Sequence, residues 1–94
     1  MTKNDFISII GYDGAAAVVD KGRRMKNNGK DLMELLEAGA FRSAAAFAAY
    51  DNSQDKLQAV TDYYNQLAHS DYTSETILRV FGIIKTDSKK IILL

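Results

Sequence analysis

Cysteine is absent from this 94-residue sequence, and histidine occurs once, at position 69. Without cysteine there is no disulfide framework, no thiolate nucleophile and no cysteine-ligated metal. A zinc site needs three or four ligands, and one histidine among scattered carboxylates does not meet that pattern. We therefore expect neither a metal nor another cofactor.

Long apolar runs are also missing. No segment approaches the ~20 consecutive apolar residues that a membrane-spanning helix requires, and residues 1–6 lack the apolar stretch of a signal peptide. We therefore expect a protein that does not enter the membrane and that works in the cytoplasm. The composition, 47% apolar and 26% charged, is typical of a folded globular protein, and the length predicts a single domain over residues 1–94.

Net charge is the third absence, because twelve acids balance twelve Lys and Arg residues. This excludes the overall positive field of a dedicated nucleic-acid binder. The charges are nevertheless segregated along the chain. Residues 21–30 hold five cations and no acid, whereas residues 31–75 hold eight acids against two cations. An acidic middle with basic flanks can neutralise itself or bind a second copy head to tail.

Two apolar segments near the N-terminus predict a β-hairpin. They span residues 6–12 and 15–21, and the Asp13-Gly14 pair between them is typical of a tight two-residue turn. In this register Tyr12 faces Ala15. The hairpin is interpreted as the centre of a small sheet, and the alternative is that its tip recognises a partner, since loops often carry function.

The middle of the chain predicts helices. The basic segment Lys21 to Lys30 is interpreted as a loop, after which Asp31 caps a helix and Glu34 completes a capping box. Gly39 is expected to end that helix, and a second helix follows over residues 40–50. One bent helix through Gly39 is the alternative.

Seven alanines lie between Ala38 and Ala49, within the second predicted helix and just before it. A helix covered in methyl groups lets a neighbouring backbone approach closely. We expect its role to be internal, as the closely packed centre of a small core.

Two more helices complete the helical part. Ser53 is expected to cap a third helix that runs to about His69, and Thr73 or Ser74 a fourth that ends at Gly82. The predicted core comprises the apolar positions of these helices and of the hairpin. Its members are Ile7, Ile9, Val18, Leu32, Leu35, Leu36, Phe41, Ala44, Ala45, Ala48, Leu57, Val60, Tyr64, Leu67, Ile77, Leu78 and Phe81.

The last residues are β-prone. Segments 83–86 and 90–94 flank Asp87-Ser88-Lys89, which resembles a turn. We expect a C-terminal strand or hairpin to join the N-terminal hairpin in a small antiparallel sheet. The predicted fold class is therefore α+β, with this sheet packed on about four short helices.

The favoured functional hypothesis is a small non-catalytic module that binds a protein partner or a second copy of itself, with a dimer as the expected form. Apolar and aromatic side chains outside the expected core support it, because aromatic residues are enriched in protein interfaces. An exposed apolar strand also invites strand addition. The interaction candidates are Tyr12, Asp13, Tyr63, Ile91, Ile92 and Leu93.

Two alternatives remain. The first is a nucleic-acid or phosphate-bearing ligand bound by the basic segment, because cations next to glycines and a helix start can hold phosphate. Its candidate residues are Lys21, Arg23, Arg24, Lys26 and Lys30. The second alternative is an enzyme that uses His69 with Asp71, or a cluster of Asp13, Asp20 and Asp31. A histidine at the end of a helix is more simply explained by the helix dipole.

Overall fold

The computed structural model describes residues 1–84 and 90–94 and shows an α+β fold. Within these residues a three-stranded sheet packs against six helices. The elements in chain order are α1 (Lys3–Phe6), β1 (Ile9–Asp13), β2 (Ala16–Val19), α2 (Lys21–Asn27), α3 (Leu32–Glu37), α4 (Phe41–Tyr50), α5 (Gln54–Ala68), α6 (Ser74–Val80) and β3 (Lys90–Leu93). The predicted class is confirmed, and two short helices are added to the predicted four.

Strands β1 and β2 form the predicted hairpin, but the register differs by two residues at the turn. Gly14 and Ala15 are the turn residues, and Asp13 pairs with Ala16. The reason is that Gly14 adopts a φ of 60°, which suits the first central position of a hairpin turn. Tyr12 therefore faces Ala17. A shift of two residues leaves every side chain on its expected face.

A β-bulge on β1 then changes which residue of that strand shares the core face of β2. The ladder is irregular between Ile9 and Gly11, which pair with Val19 and Val18 respectively. A bulge inserts one extra residue on one strand and so moves the following residues to the other face. As a result Ile9 lies on the same face as Val19 and both are buried, whereas Ile10 is 42% exposed. Val18, the predicted core residue, lies on the opposite face of β2 and is only half-buried.

Strand β3 joins the sheet beside β2, in the order β1-β2-β3. The predicted C-terminal strand is confirmed, but its antiparallel orientation is wrong, because β3 runs parallel to β2. A parallel neighbour requires a long crossover connection, and here helices α2 to α6 lie between the two strands. Ile83 and Ile84 are not in a strand. The predicted turn at residues 87–89 lies outside the described residues, as do positions 85 and 86 of the β-prone segment.

The two additional helices begin at capping side chains. Thr2 Oγ1 accepts a hydrogen bond from the Asp5 backbone N–H at 3.2 Å and starts α1. Asp20 Oδ1 accepts one from the Arg23 N–H, also at 3.2 Å, and starts α2. The loop predicted over residues 21–30 is therefore wrong for residues 21–27. Its glycine- and asparagine-rich composition concealed a cap that satisfies the first helical amides.

The break between α3 and α4 confirms the prediction at Gly39. The Asp31 and Glu34 side chains form both bonds of the capping box, at 2.8 and 3.2 Å, and α3 ends at Glu37. Gly39 has a φ of 76°. Because this conformation is left-handed, it ends the helix and lets α4 turn back across α3.

Helices α5 and α6 begin where they were predicted, with side-chain caps at Ser53 and Thr73. His69 ends α5 in the left-handed conformation, with a φ of 53°. Leu67, in the last turn of α5, was predicted in the core but is 60% exposed. The buried part of the apolar stripe ends at Tyr64, whose ring packs edge-on against Phe41 and Phe81.

The alanine helix α4 lies at the centre of the molecule, in contact with α1, α3, α5 and α6. Six of its ten residues are buried: Ser43, Ala44, Ala45, Ala46, Ala48 and Ala49. The expectation that the alanines serve internal packing is confirmed. Buried residues that were not predicted include Phe6, Ala17 and Val19, which join the same core.

Candidate functional site

Four consecutive apolar side chains are exposed at the end of the described chain, three in strand β3 and one directly after it. Ile91 and Ile92 are each 37% exposed, Leu93 is 49% exposed and Leu94, which follows the strand, is 70% exposed. Large apolar side chains that remain in water lose the stabilisation that burial supplies, about 1.5–3 kcal/mol for each one fully buried. The structure thus leaves apolar surface uncovered at Ile91, Ile92 and Leu93, which are three of the six interaction candidates, and at the adjacent Leu94.

The register with β2 explains this exposure. Ile91 pairs with Ala17 and Leu93 with Val19, so these two side chains share the face that carries the core. Ala17 and Val19 are fully buried, yet Ile91 and Leu93 are not. The helical layer therefore covers β2 and does not extend fully over β3. Ile92 lies on the opposite face of the sheet.

One side of the β3 backbone faces away from the sheet. The Leu94 N–H donates to Val19 O at 3.0 Å, and the Lys21 N–H donates to Leu94 O at 3.1 Å, so both groups of Leu94 face β2. Backbone groups alternate in direction along a strand, so those of Ile91 and Leu93 point to the open edge. Within the described residues, β2 is the only strand that pairs with β3. Such an edge is a template for pairing with another strand.

The hairpin tip is divided between core and solvent. Tyr12 is half-buried and packs against the main hydrophobic cluster, opposite Ala17. Asp13 is exposed beside the turn. Of the two tip candidates, only Asp13 therefore presents its side chain mainly to solvent.

Tyr63 is half-buried, and its ring makes internal contacts. Its centroid lies 6.2 Å from that of Phe41, and the Phe41 ring also contacts Tyr64 at 5.2 Å. Tyr63 packs against the main core cluster, whereas Tyr64 packs against the smaller cluster around Leu57 and Ile77. Much of the Tyr63 ring thus contributes to the fold, and the remainder is exposed to solvent.

The basic residues lie on different faces of α2. Residues three apart are neighbours on a helix, so Arg23 and Lys26 share one face, whereas Arg24 lies on another. Arg24 Nε is 2.7 Å from Asp5 Oδ1, and this carboxylate is nearly buried, so Arg24 is held in an internal ion pair. Arg23 Nε lies 3.9 Å from Asp20 Oδ2 at the exposed surface. Arg23 and Lys26 line one cavity.

The remaining cations of the segment lie elsewhere. Lys21 begins α2 and is exposed, and Lys30 follows the helix and lines a separate, more open cavity. Within residues 1–84 and 90–94, no ion pair involves Lys21, Lys26 or Lys30. In the fold, therefore, Arg24 is paired with Asp5, Arg23 lies near Asp20 at the surface, and the three lysines have no ion-pair partner among the described residues.

The proposed catalytic residues are not assembled into a site. His69 and Asp71 are both exposed, and the His69 backbone N–H donates to Asn65 O. Ser70 Oγ donates to Asn65 Oδ1 at 2.8 Å. In the described part of the chain, no hydrogen bond links the His69 side chain to Ser70 or Asp71. Asn65 therefore organises this turn.

The three aspartates considered for a metal site have separate roles. Asp20 caps α2, Asp31 caps α3 and Asp13 lies beside the hairpin turn. Among the described residues, no group of three or more histidine and carboxylate side chains is placed to hold a metal ion. In the same residues, no helix has both the length and the apolar character needed to cross a bilayer.

The chain was compared with protein-family models, with curated proteins and with solved structures. None of the three comparisons finds a match for it.

Proposed function

We propose that this protein is a small non-catalytic interaction module that self-associates through β3. The observation that carries this proposal is the edge of β3 that no described strand covers, together with the exposed apolar side chains of Ile91, Ile92 and Leu93 and of Leu94 directly after the strand. An edge of this kind supplies both interactions that strand addition uses. The backbone groups give affinity, and the side chains exclude water from the contact.

A second copy of the chain fits this edge. When two β3 strands pair antiparallel about a two-fold axis, each supplies the same surface, and the two sheets become one sheet of six strands. The pairing removes the unpaired edge and covers apolar side chains on both faces. The net charge of zero imposes no overall repulsion between two copies.

Proline at position 93 tests this pairing. The Leu93 N–H points to the open edge, so Leu93→Pro removes a donor for the second copy and leaves the bonds between β2 and β3 intact. Leu93→Ala removes most of the side chain but keeps the N–H. We expect the wild type to sediment as a dimer at micromolar concentrations, Leu93→Ala to dimerise more weakly, and Leu93→Pro to be a monomer with an unchanged circular dichroism spectrum.

Two results contradict self-association through β3. One is a wild type that remains a strict monomer up to high micromolar concentrations. In that case the edge of β3 would be expected to pair with a strand from a different protein. The other is a Leu93→Pro variant that dimerises as strongly as Leu93→Ala, because the backbone of β3 then takes no part in the contact.

A further inference from the structure

A cavity of about 260 Å³ lies between α2 and the start of α4. Arg23 and Lys26 from α2 and Arg42 from α4 contribute to its lining, and the described residues around it include no aspartate or glutamate. This cavity is on a different part of the molecule from the β3 edge, and it does not depend on the proposed self-association.

The positive charge around this cavity is only weakly neutralised. Arg42 donates hydrogen bonds to the backbone carbonyls of Phe81 and Ile9, which carry no formal charge. Burial lowers the pKa of Arg42, and the nearby Arg23 guanidinium lowers it further. Within the described residues Lys26 has no ion-pair partner, and the carboxylate nearest to Arg23 Nε is 3.9 Å away. An anion in the cavity therefore relieves repulsion between cations.

The N-terminus of α4 opens into the same cavity. Ala40 occupies the capping position, so among the described residues no side chain caps the first amides, and the first turn contains no acid. The N–H groups of Phe41, Arg42 and Ser43 consequently lack intrahelical acceptors, and the helix dipole adds positive potential. Each of the other helices in the described part of the chain has a side-chain cap: Thr2, Asp20, Asp31, Ser53 or Thr73.

Asn27 supplies an independent indication of a ligand. This residue lines the cavity, as well as the more open cavity that Lys30 lines, and is only 4% exposed, yet within the described residues its Oδ1 has no hydrogen-bond partner. Its Nδ2 donates to Ser43 Oγ at a long 3.4 Å. A buried acceptor without a donor is destabilising, and such groups are uncommon in folded proteins. A ligand hydroxyl is the complementary group.

We propose that this cavity binds a small phosphorylated ligand that carries a hydroxyl group near its phosphate, such as a sugar phosphate. Arg23, Lys26 and the first amides of α4 bind the phosphate oxygens, and Asn27 accepts a hydrogen bond from the hydroxyl. The volume of about 260 Å³ lies just below the range of about 300–1,000 Å³ for sites of drug-sized ligands. The size therefore favours a compact ligand.

The test is a titration of ¹⁵N-labelled protein followed by NMR, with ribose 5-phosphate, inorganic phosphate and ribose as probes. We expect ribose 5-phosphate to bind more tightly than phosphate, ribose not to bind, and the amide resonances of Phe41, Arg42 and Ser43 to shift. Lys26→Ala is expected to weaken binding about tenfold, because it removes a charge-assisted contact. Lys21→Ala, on the same helix but outside the cavity, is the control and is expected to change affinity less than about twofold.

A second variant tests the role of the α4 amides. Ala40→Asp places a carboxylate at the capping position, where it accepts from those amides and repels a phosphate. We expect it to raise the melting temperature and abolish binding of ribose 5-phosphate. The proposal is overturned if Ala40→Asp binds as tightly as the wild type, if the α4 resonances do not move, or if Lys21→Ala weakens binding as much as Lys26→Ala.

Discussion

Helix α4 and strand β3 are both rich in apolar residues, but the fold treats them in opposite ways. In α4 the small side chains from Ala44 to Ala46 are almost completely buried, whereas in β3 the large side chains from Ile91 to Leu93 remain well exposed. Helices α1, α3, α5 and α6 contact α4, while β3 lies at the sheet edge beside β2. The number of neighbouring elements, rather than side-chain hydrophobicity, therefore decides what is buried.

Because of this difference, α4 contributes mainly to the stability of the fold, whereas β3 leaves surface that another molecule could contact. Neighbouring helices cover the alanine face of α4, so it leaves no surface for another molecule to contact. An exposed strand of large apolar residues contributes less to the fold and keeps its outer backbone groups available. Substitutions in the two regions should therefore have different consequences.

The largest contrast is expected from the same substitution in each region. Leu35 is fully buried beside α4, so Leu35→Ala should lower the free energy of unfolding by about 2–5 kcal/mol, through lost burial and the cavity left behind. Leu93 is 49% exposed, and Leu93→Ala should cost less than about 1 kcal/mol. Urea denaturation monitored by circular dichroism measures both values. Equal losses would show that β3 is as important to the core as α3.

Overpacking of α4 is expected to give the next largest effect. Ala45 is fully buried, and Ala45→Leu adds carbon atoms where the neighbouring backbones approach closely, at a cost of about 1–3 kcal/mol. Ala59→Leu, on the exposed face of α5, is the matched control and should change stability by less than about 0.5 kcal/mol. Thermal denaturation distinguishes the two. A neutral Ala45→Leu variant would contradict the close packing of α4.

A smaller effect is expected in the pH dependence of stability, through Asp51 at the C-terminal end of α4. Asp51 Oδ2 accepts hydrogen bonds from Lys3 Nζ at 2.8 Å and from Lys56 Nζ at 2.6 Å, and these bonds lower the pKa of Asp51. Both ammonium groups also lie over the Phe47 ring. Because the folded-state pKa is depressed, the stabilisation is present above the ordinary aspartate pKa of about 3.9 and is lost as the pH falls through the folded-state value.

The measurement is the free energy of unfolding as a function of pH for the wild type and Asp51→Asn. Partly exposed ion pairs contribute about 1 kcal/mol or less, so the two curves should differ by that amount at neutral pH and converge in acid. Curves that remain parallel down to low pH would show that Asp51 does not contribute through its charge. No comparable dependence is expected for Leu93→Ala, whose substituted side chain does not ionise.

The sequence predicted those elements whose signals are local. The capping box of Asp31 with Glu34 and the left-handed Gly39 defined α3 and its end, and the prediction holds because each involves residues a few positions apart. Helix α2 was missed because its composition resembles a loop, although its capping residue Asp20 is local as well. A search for a capping side chain before the basic segment could have found it.

The cavity between α2 and α4 was beyond sequence reasoning for a different reason. Arg23 and Lys26 were predicted as phosphate candidates, but Arg42 was not, because α3 separates the basic segment from the start of α4 along the chain. Asn27 lies within the basic segment but is uncharged, and its burial depends on the tertiary structure. The missing cap at Ala40 is visible in the sequence. Its significance appears only when the cations of α2 are placed beside it.

By itself, the sequence determined the α+β class, the main helices, the hairpin and the internal role of the alanines, because periodicity, caps and turns act over short distances. Only the tertiary structure decided that β3 runs parallel to β2, that a bulge at Ile10 brings Ile9 onto the face of Val19, and that Arg24 pairs with Asp5. These features depend on residues far apart in the chain that compete for the same neighbours, and local patterns contain no information about that competition.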